Sequence, residues 1–176
     1  MLREAAIDPD VTVIKVTCYR LASNSKVINA LINAVRNGKQ VTAMMEYRAR
    51  FDEEANLEWK VILEEEGVKV IDVIPNMKVH AKLCLIKKMK GTRAIHYGFV
   101  STGNLNEKTA TLYSDHCLLT SNRKYYGRCE SHVQLYGKME RRSCTFERMQ
   151  NAHPLSHLSK ERTIPYDQCR NQICKK

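Results

Sequence analysis

The chain has 176 residues and a formal net charge of +10. That length holds one domain, or one domain with an appendage, and 43% hydrophobic residues suffice for a core. No stretch approaches the roughly 20 apolar residues of a membrane helix, and the positive balance points to polyanions in general without choosing among them. The opening "MLREAAIDPD" has no apolar signal core, so a soluble cytoplasmic protein is expected. Seven cysteines occur without a C-x-x-C pair or a zinc spacing, which reads as reduced, unpaired thiols.

The β-branched run "VTVIKVTCY" (11–19) predicts a buried strand. "NSKVINALINAVRNG" (24–38) predicts a helix with Val27, Ile28, Leu31, Ile32 and Val35 on one stripe, started by a Ser/Asn cluster and ended at Gly38. "QVTAMMEY" (40–47) is a second strand. "DEEANLEWKVILEEEG" (52–67) is a second helix, with an acidic first turn and Ala55, Trp59, Ile62 and Leu63 on one face. "VKVIDVI" (68–74) is a third strand. "VHAKLCLIK" (79–87) and "RAIHYGFVS" (93–101) form a hairpin around "KMKGT". "NEKTATLY" (106–113) is a short helix candidate and "DHCLLT" (115–120) a last strand. Alternating strands and helices followed by consecutive strands predict an α/β fold with a mixed, mostly parallel sheet flanked by helices.

From Lys124 onward the pattern changes. Residues 124–176 show no sustained period of 2 or 3.6 and carry four of the seven Cys and three of the six His. A basic nucleic-acid-binding tail is one reading; the expectation is a disordered or non-native basic tail over 124–176.

The chemistry gathers in three places. In "KVHAKL" (78–83), residues two apart on a strand share a face at roughly 6.5–7 Å, so His80 and Lys82 project together, with Val79, Ala81, Leu83 and Leu85 on the core side. Imidazole is a nucleophile toward phosphorus, and an ammonium beside it neutralises phosphate oxygens. In "VSTGNLNEKT" (100–109), Gly103 and Asn104 sit on a loop whose N–H groups are placed to cradle phosphate. Arg20 follows the first strand, and Arg48 and Arg50 follow the second, at the carboxyl strand ends where α/β sheets collect ligands. Each feature alone also fits a plain surface strand, an ordinary turn or a surface ion pair. Together they are the parts of a phosphoryl-transfer site.

"LREAAIDPDVTVIKVTCYRLASNSKVINALINAVRNGKQVT", "YRARFDEEANLEW", "KVHAKLCLI" and "STGNLNEKTATLYSD" resemble bacterial polyphosphate kinase of the long, four-domain type, over residues 2–123. The resemblance is to the first of two C-terminal phospholipase D-like domains. It implies reversible transfer of the terminal phosphate of ATP to polyphosphate through a phosphohistidine, with Mg2+. On that resemblance, His80 is the phosphorylated histidine, and Arg20 and Arg50 belong to the phosphate and magnesium site. Tyr113 contacts the nucleotide, while Lys82, Asn104 and Gly103 belong to the surrounding motifs. Arginine does not coordinate a cation, so Arg20 and Arg50 are expected to hold phosphate oxygens that themselves bind magnesium. Lys87 stands where the phospholipase D motif puts an Asp, which lowers the phosphodiesterase reading.

The partners so implied are ATP or ADP, inorganic polyphosphate, and the parent enzyme's other domains. The resemblance further implies a homo-oligomer, a peripheral place at the inner membrane face for the intact enzyme, and no specific nucleic acid. The second phospholipase-like domain, with another functional histidine, is expected to lie outside this chain. Weak ATP binding and little or no polyphosphate synthesis follow for the chain alone. Beyond "LLTSNR" the resemblance stops. Shifted by one nucleotide, the degenerate codons of "KYYGRCESHVQLYGKMER" and "YDQCRNQICK" permit a family-like continuation, so a reading-frame change near Lys124 is expected. Two other functions compete: a phospholipase D-like phosphodiesterase or nuclease half-site, and a non-catalytic basic binder of polyanions.

Overall fold

The computed structural model describes residues 1–46, 53–72 and 79–151. In chain order these form α1 (Leu2–Ile7), β1 (Val11–Cys18), α2 (Lys26–Arg36), β2 (Gln40–Met45), α3 (Glu53–Glu65), β3 (Lys69–Ile71), β4 (Lys82–Lys90), β5 (Arg93–Ser101), a 3-10 turn (Thr109–Thr111), β6 (Cys117–Thr120) and α4 (Arg123–Asn151). The chain divides into a unit of Met1–Cys144, which carries the sheet, and a unit of Thr145–Lys176, described only at its helical start.

The six strands form one sheet in the order β3-β2-β1-β4-β5-β6. Helices α2 and α3 carry the chain back between β1, β2 and β3, so those pairs are parallel. From β4 on, strands follow one another without a crossover helix, and β1–β4, β4–β5 and β5–β6 are antiparallel. The sheet is therefore mixed as expected, but antiparallel pairs outnumber parallel ones. The physical reason is the tight turn at Gly91–Thr92, where Lys90 pairs directly with Arg93.

Local chemistry sets the helix limits. Ser25 caps α2, its hydroxyl accepting from the Ile28 N–H at 3.4 Å. Gly38 and Gly67 follow α2 and α3 at φ 77° and 85°, a left-handed conformation that favours glycine. The α2 stripe buries Ile28 and Leu31 completely, with Ala30 and Ala34 beside them. On α3, Leu63 is buried, Trp59 donates its indole N–H to the Ala22 carbonyl at 3.0 Å, and Ile62 points outward. The expected helix over 106–113 is a single 3-10 turn, because the Asn106 side chain accepts from the Lys108 and Thr109 N–H groups and fixes a local turn.

Both faces of the sheet are covered. On one, Ile14, Val16, Cys18, Val41, Ala43, Cys84, Ile86 and Phe99 pack with Ala5, Ala6, Ile28, Leu31, Ala34 and Leu63 from the first three helices. On the other, Met44, Ile71, Leu83 and Leu85 pack with Val79 and with Tyr126 and Val133 of α4. This corrects the expected split of β4 into a core side and a polar side. Cys84 and Ile86 are as buried as Leu83 and Leu85, while Ala81 is exposed.

Helix α4 also differs from the expected irregular tail. Tyr126, Cys129, Val133 and Tyr136 are spaced by three, four and three residues and lie against the second face. Gly127 sits on its outer side, where a methyl group on its α-carbon would meet nothing within 4 Å. Gly127→Ala is therefore expected to raise stability by roughly 0.5–1 kcal/mol. Chemical denaturation followed at the sheet core checks this; a loss of stability contradicts the helix.

The buried thiols of Cys18 and Cys84 belong to the core. Burial pushes Cys18 up to about 12 and raises Cys84 as well, so both stay protonated and inert. Cys18, Cys84, Cys117 and Cys129 are all free.

Candidate active site

The ends of β1 and β2 and the start of β4 meet where Thr17 replaces a ladder bond. Its hydroxyl donates to the Ala81 carbonyl at 2.6 Å and accepts from the Leu83 N–H at 3.0 Å. Two residues away, the Val79 N–H donates to a carboxylate oxygen of the fully buried Glu46 at 2.9 Å. His80 thus stands on a short segment held on both sides, from β2 through Glu46 and from β1 through Thr17. It precedes β4 rather than lying within it.

The side chains still meet as the spacing implied. Lys82 Nζ lies 2.9 Å from His80 Nε2. A charged Lys82 has only donors, and in that state Nε2 accepts and the ring proton falls on Nδ1. Lys82 is 4% exposed, whereas His80 reaches solvent. The pair therefore sets an exposed imidazole beside a nearly buried lysine. Nitrogen-15 NMR of His80 is expected to show a bare, acceptor-type Nε2 and a protonated Nδ1 near neutral pH; the opposite tautomer contradicts the contact.

Tyr19, the residue after β1, completes the group. Its ring lies edge-to-face with His80 at 5.0 Å and 81°. Lys82 Nζ is 5.2 Å from the ring centroid and the Arg20 guanidinium carbon 5.8 Å. Arg20, His80 and Lys82 are thereby gathered around one ring. Sequence reasoning missed Tyr19 and Glu46. An aromatic closing an apolar strand reads as core, and the available signal was a lone acid ending the apolar run "VTAMME".

The Gly-Asn loop is brought near by register. Ser101 pairs with Lys82 across β5 and β4, so the loop from Ser101 to Asn104 leaves the sheet beside the pair. The Gly103 N–H donates to Ser101 Oγ at 3.1 Å, so this donor is used within the loop. Asn104 Oδ1 is buried without a hydrogen-bond partner among the described residues. Asp115 is a further member that sequence reasoning missed. It accepts from the Thr102 hydroxyl at 2.9 Å, and its carboxyl lies against Gly103 where a methyl group would clash. Tyr113 follows the 3-10 turn and is 68% exposed, with no ring contact among the described residues. Arg48 and Arg50 lie outside the described residues.

The donor set decides what this site holds directly. Arg20 and Lys82 are cations suited to phosphate oxygens. Among the described residues no group of three His, Cys, Asp or Glu side chains forms a metal cluster. No helix among the described residues is long and apolar enough to cross a membrane.

Comparison with known proteins places the chain in a family. The sequence profile described as "Polyphosphate kinase C-terminal domain 1" matches residues 1–142. Polyphosphate kinase of Vibrio cholerae is 48% identical over 124 residues, covering 70% of this chain and 18% of the relative. That of Salmonella typhimurium is 49% identical over 122 residues, covering 69% and 18%. The chain therefore spans under a fifth of the length of these relatives. The crystal structure of polyphosphate kinase from Porphyromonas gingivalis superposes with a TM-score of 0.59 at 36% identity, covering 90% of this chain and 24% of that one. Nuc, a phospholipase D family member from Salmonella typhimurium, superposes with a TM-score of 0.58 at 15% identity, covering 78% and 83%, a likeness of fold alone. The chain belongs to the polyphosphate kinase family, with the sheet and the His80 site falling in the region that family knows as C-terminal domain 1.

Proposed function

We propose that His80 accepts the terminal phosphoryl group of ATP and passes it to a polyphosphate chain, reversibly. The observation that carries this reading is the Lys82–His80 contact at 2.9 Å on an exposed imidazole, within a chain of the polyphosphate kinase family. Nε2 bonds to the γ-phosphorus as the bond to the bridging oxygen breaks and ADP leaves; the Nδ1 proton passes to solvent. Lys82 and Arg20, with Arg50 as a further candidate, offset charge on the phosphoryl oxygens. A magnesium ion carried on the nucleotide would shield its phosphates, with Arg20 and Lys82 holding the phosphate oxygens. Asn104 offers its amide to the phosphates, Gly103 shapes the loop beside them, and Tyr113 offers an exposed ring to the nucleotide.

The test uses the 176-residue chain with γ-labelled ATP and Mg2+. An acid-labile label of up to one per chain, with little or no polyphosphate formed, is expected. Turnover of a chromogenic phosphodiester without any label from ATP assigns the phospholipase D-like reading instead. Salt-sensitive polyphosphate binding that His80→Ala leaves unchanged, again without label, assigns a basic binder.

A further inference from the structure

Within the proposed phosphoryl-transfer site, one group has no chemical role in the step yet lies against Arg20, His80 and Lys82 together. Tyr19 is 8% exposed. Its carbonyl accepts from Asn56 Nδ2 at 3.0 Å, and the same amide nitrogen donates to the Glu46 carbonyl at 3.1 Å. Asn56 is itself 1% exposed. The backbone of Tyr19 is thereby fixed to α3 and to the end of β2, and Glu46 in turn holds the Val79 N–H. Tyr19 and the His80 segment share one frame.

The side chain faces a conflict built into the site. Two cations lie near its ring, the Arg20 guanidinium carbon at 5.8 Å and Lys82 Nζ at 5.2 Å from the centroid. Lys82 Nζ lies 2.9 Å from Nε2; a charged Lys82 donates there, and a lone pair engaged by an ammonium is not available to attack phosphorus. For the step to proceed, Lys82 must release Nε2 and turn to a phosphoryl oxygen. Attractions that outlast the imidazole contact then help to keep it beside the reacting atoms. The π face of a phenol attracts cations within about 6 Å of its centroid, and both Lys82 and Arg20 meet that distance. This attraction does not depend on the imidazole lone pair. The edge-to-face contact at 5.0 Å meanwhile sets the plane of the His80 ring.

We propose that Tyr19 is a positioning residue of the His80 site: its ring orients the imidazole and retains Lys82, and with it Arg20, when Nε2 is freed for bonding to phosphorus. The inference rests on His80 being a phosphoryl acceptor, but not on ATP being the donor.

The test therefore uses phosphoramidate as the donor. Nε2 bonds to phosphorus while the P–N bond breaks and ammonia leaves, and the Nδ1 proton is lost to solvent. The rate of phosphohistidine formation at His80 is followed by phosphorus NMR in the 176-residue chain. Tyr19→Phe keeps the ring and is expected to stay within about twofold of the parent rate. Tyr19→Leu keeps an apolar side chain, loses the π face, and is expected to react about tenfold more slowly, with altered His80 nitrogen-15 shifts in a chain that stays folded at the assay temperature. Should Tyr19→Leu fail to fold, pentafluorophenylalanine at position 19 keeps the shape and removes the negative face; it is expected to be slow where phenylalanine is not. A folded Tyr19→Leu chain with the parent rate and shifts overturns the inference. So does a Phe variant as slow as Leu, or a fluorinated ring as fast as Phe. A chain that takes phosphate at His80 from phosphoramidate but never from ATP removes the proposed kinase function and leaves the role of Tyr19 standing.

Discussion

Replacing His80 by Ala is expected to remove the acid-labile label from the chain completely while leaving the fold in place. The imidazole is exposed and contributes no core volume. Its backbone is held by neighbours, through the Val79 N–H to Glu46 and the Ala81 carbonyl to the Thr17 hydroxyl. The structural cost includes the lost acceptor for Lys82, about 1 kcal/mol for one hydrogen bond, and the lost edge-to-face contact with Tyr19. Lys82→Met separates nucleophile from charge. It keeps the unbranched apolar stem in a position that is 4% exposed and removes one preorganised cation. The label should then form roughly a hundredfold more slowly, the usual loss for one such donor. A label that persists in His80→Ala, or one indifferent to Lys82→Met, contradicts the assignment.

The second large effect lies in the sheet that carries the site. Gly98 on β5 stands where a methyl group would come 2.0 Å from the Cys84 carbonyl oxygen and 3.0 Å from its carbon. Those atoms belong to the backbone of β4, held by β1 on one side and β5 on the other, so no side chain can swing aside. Gly98→Ala must push two central strands apart. It is expected to cost at least about 3 kcal/mol and to lower the melting temperature by roughly 6–12 °C. Because β4 begins at Lys82, the same displacement should weaken the Lys82–His80 contact. A variant that melts with the parent protein contradicts the β4–β5 register.

Much of this was legible because local and global signals agreed. The runs at 11–19, 24–38 and 40–47 each carry a clear period and clear boundaries, and the structure places β1, α2 and β2 there within a few residues. The His-x-Lys spacing also carried through, although for a different reason: the side chains meet by a hydrogen bond across the start of β4, not along a regular strand. What escaped the sequence was information held between segments. Glu46 matters because Val79 comes to it from 33 residues away. Tyr19 matters because His80 and Lys82 close on its ring. The α4 stripe of Tyr126, Cys129, Val133 and Tyr136 was present in the sequence. Its contacts are two tyrosines, a cysteine and a valine among many charges, so its period was weak beside that of α2. The expectation for Arg50 falls outside the described residues, and the resemblance remains its support.

The central claim is that His80 takes a phosphoryl group from ATP. Mass spectrometry of the 176-residue chain after incubation with Mg2+ and ATP, under alkaline conditions that preserve phosphohistidine, tests it most directly. The account predicts one added phosphoryl group, mapped to His80 and absent from His80→Ala. An unmodified chain, or a phosphoryl group mapped to any other residue, would contradict it.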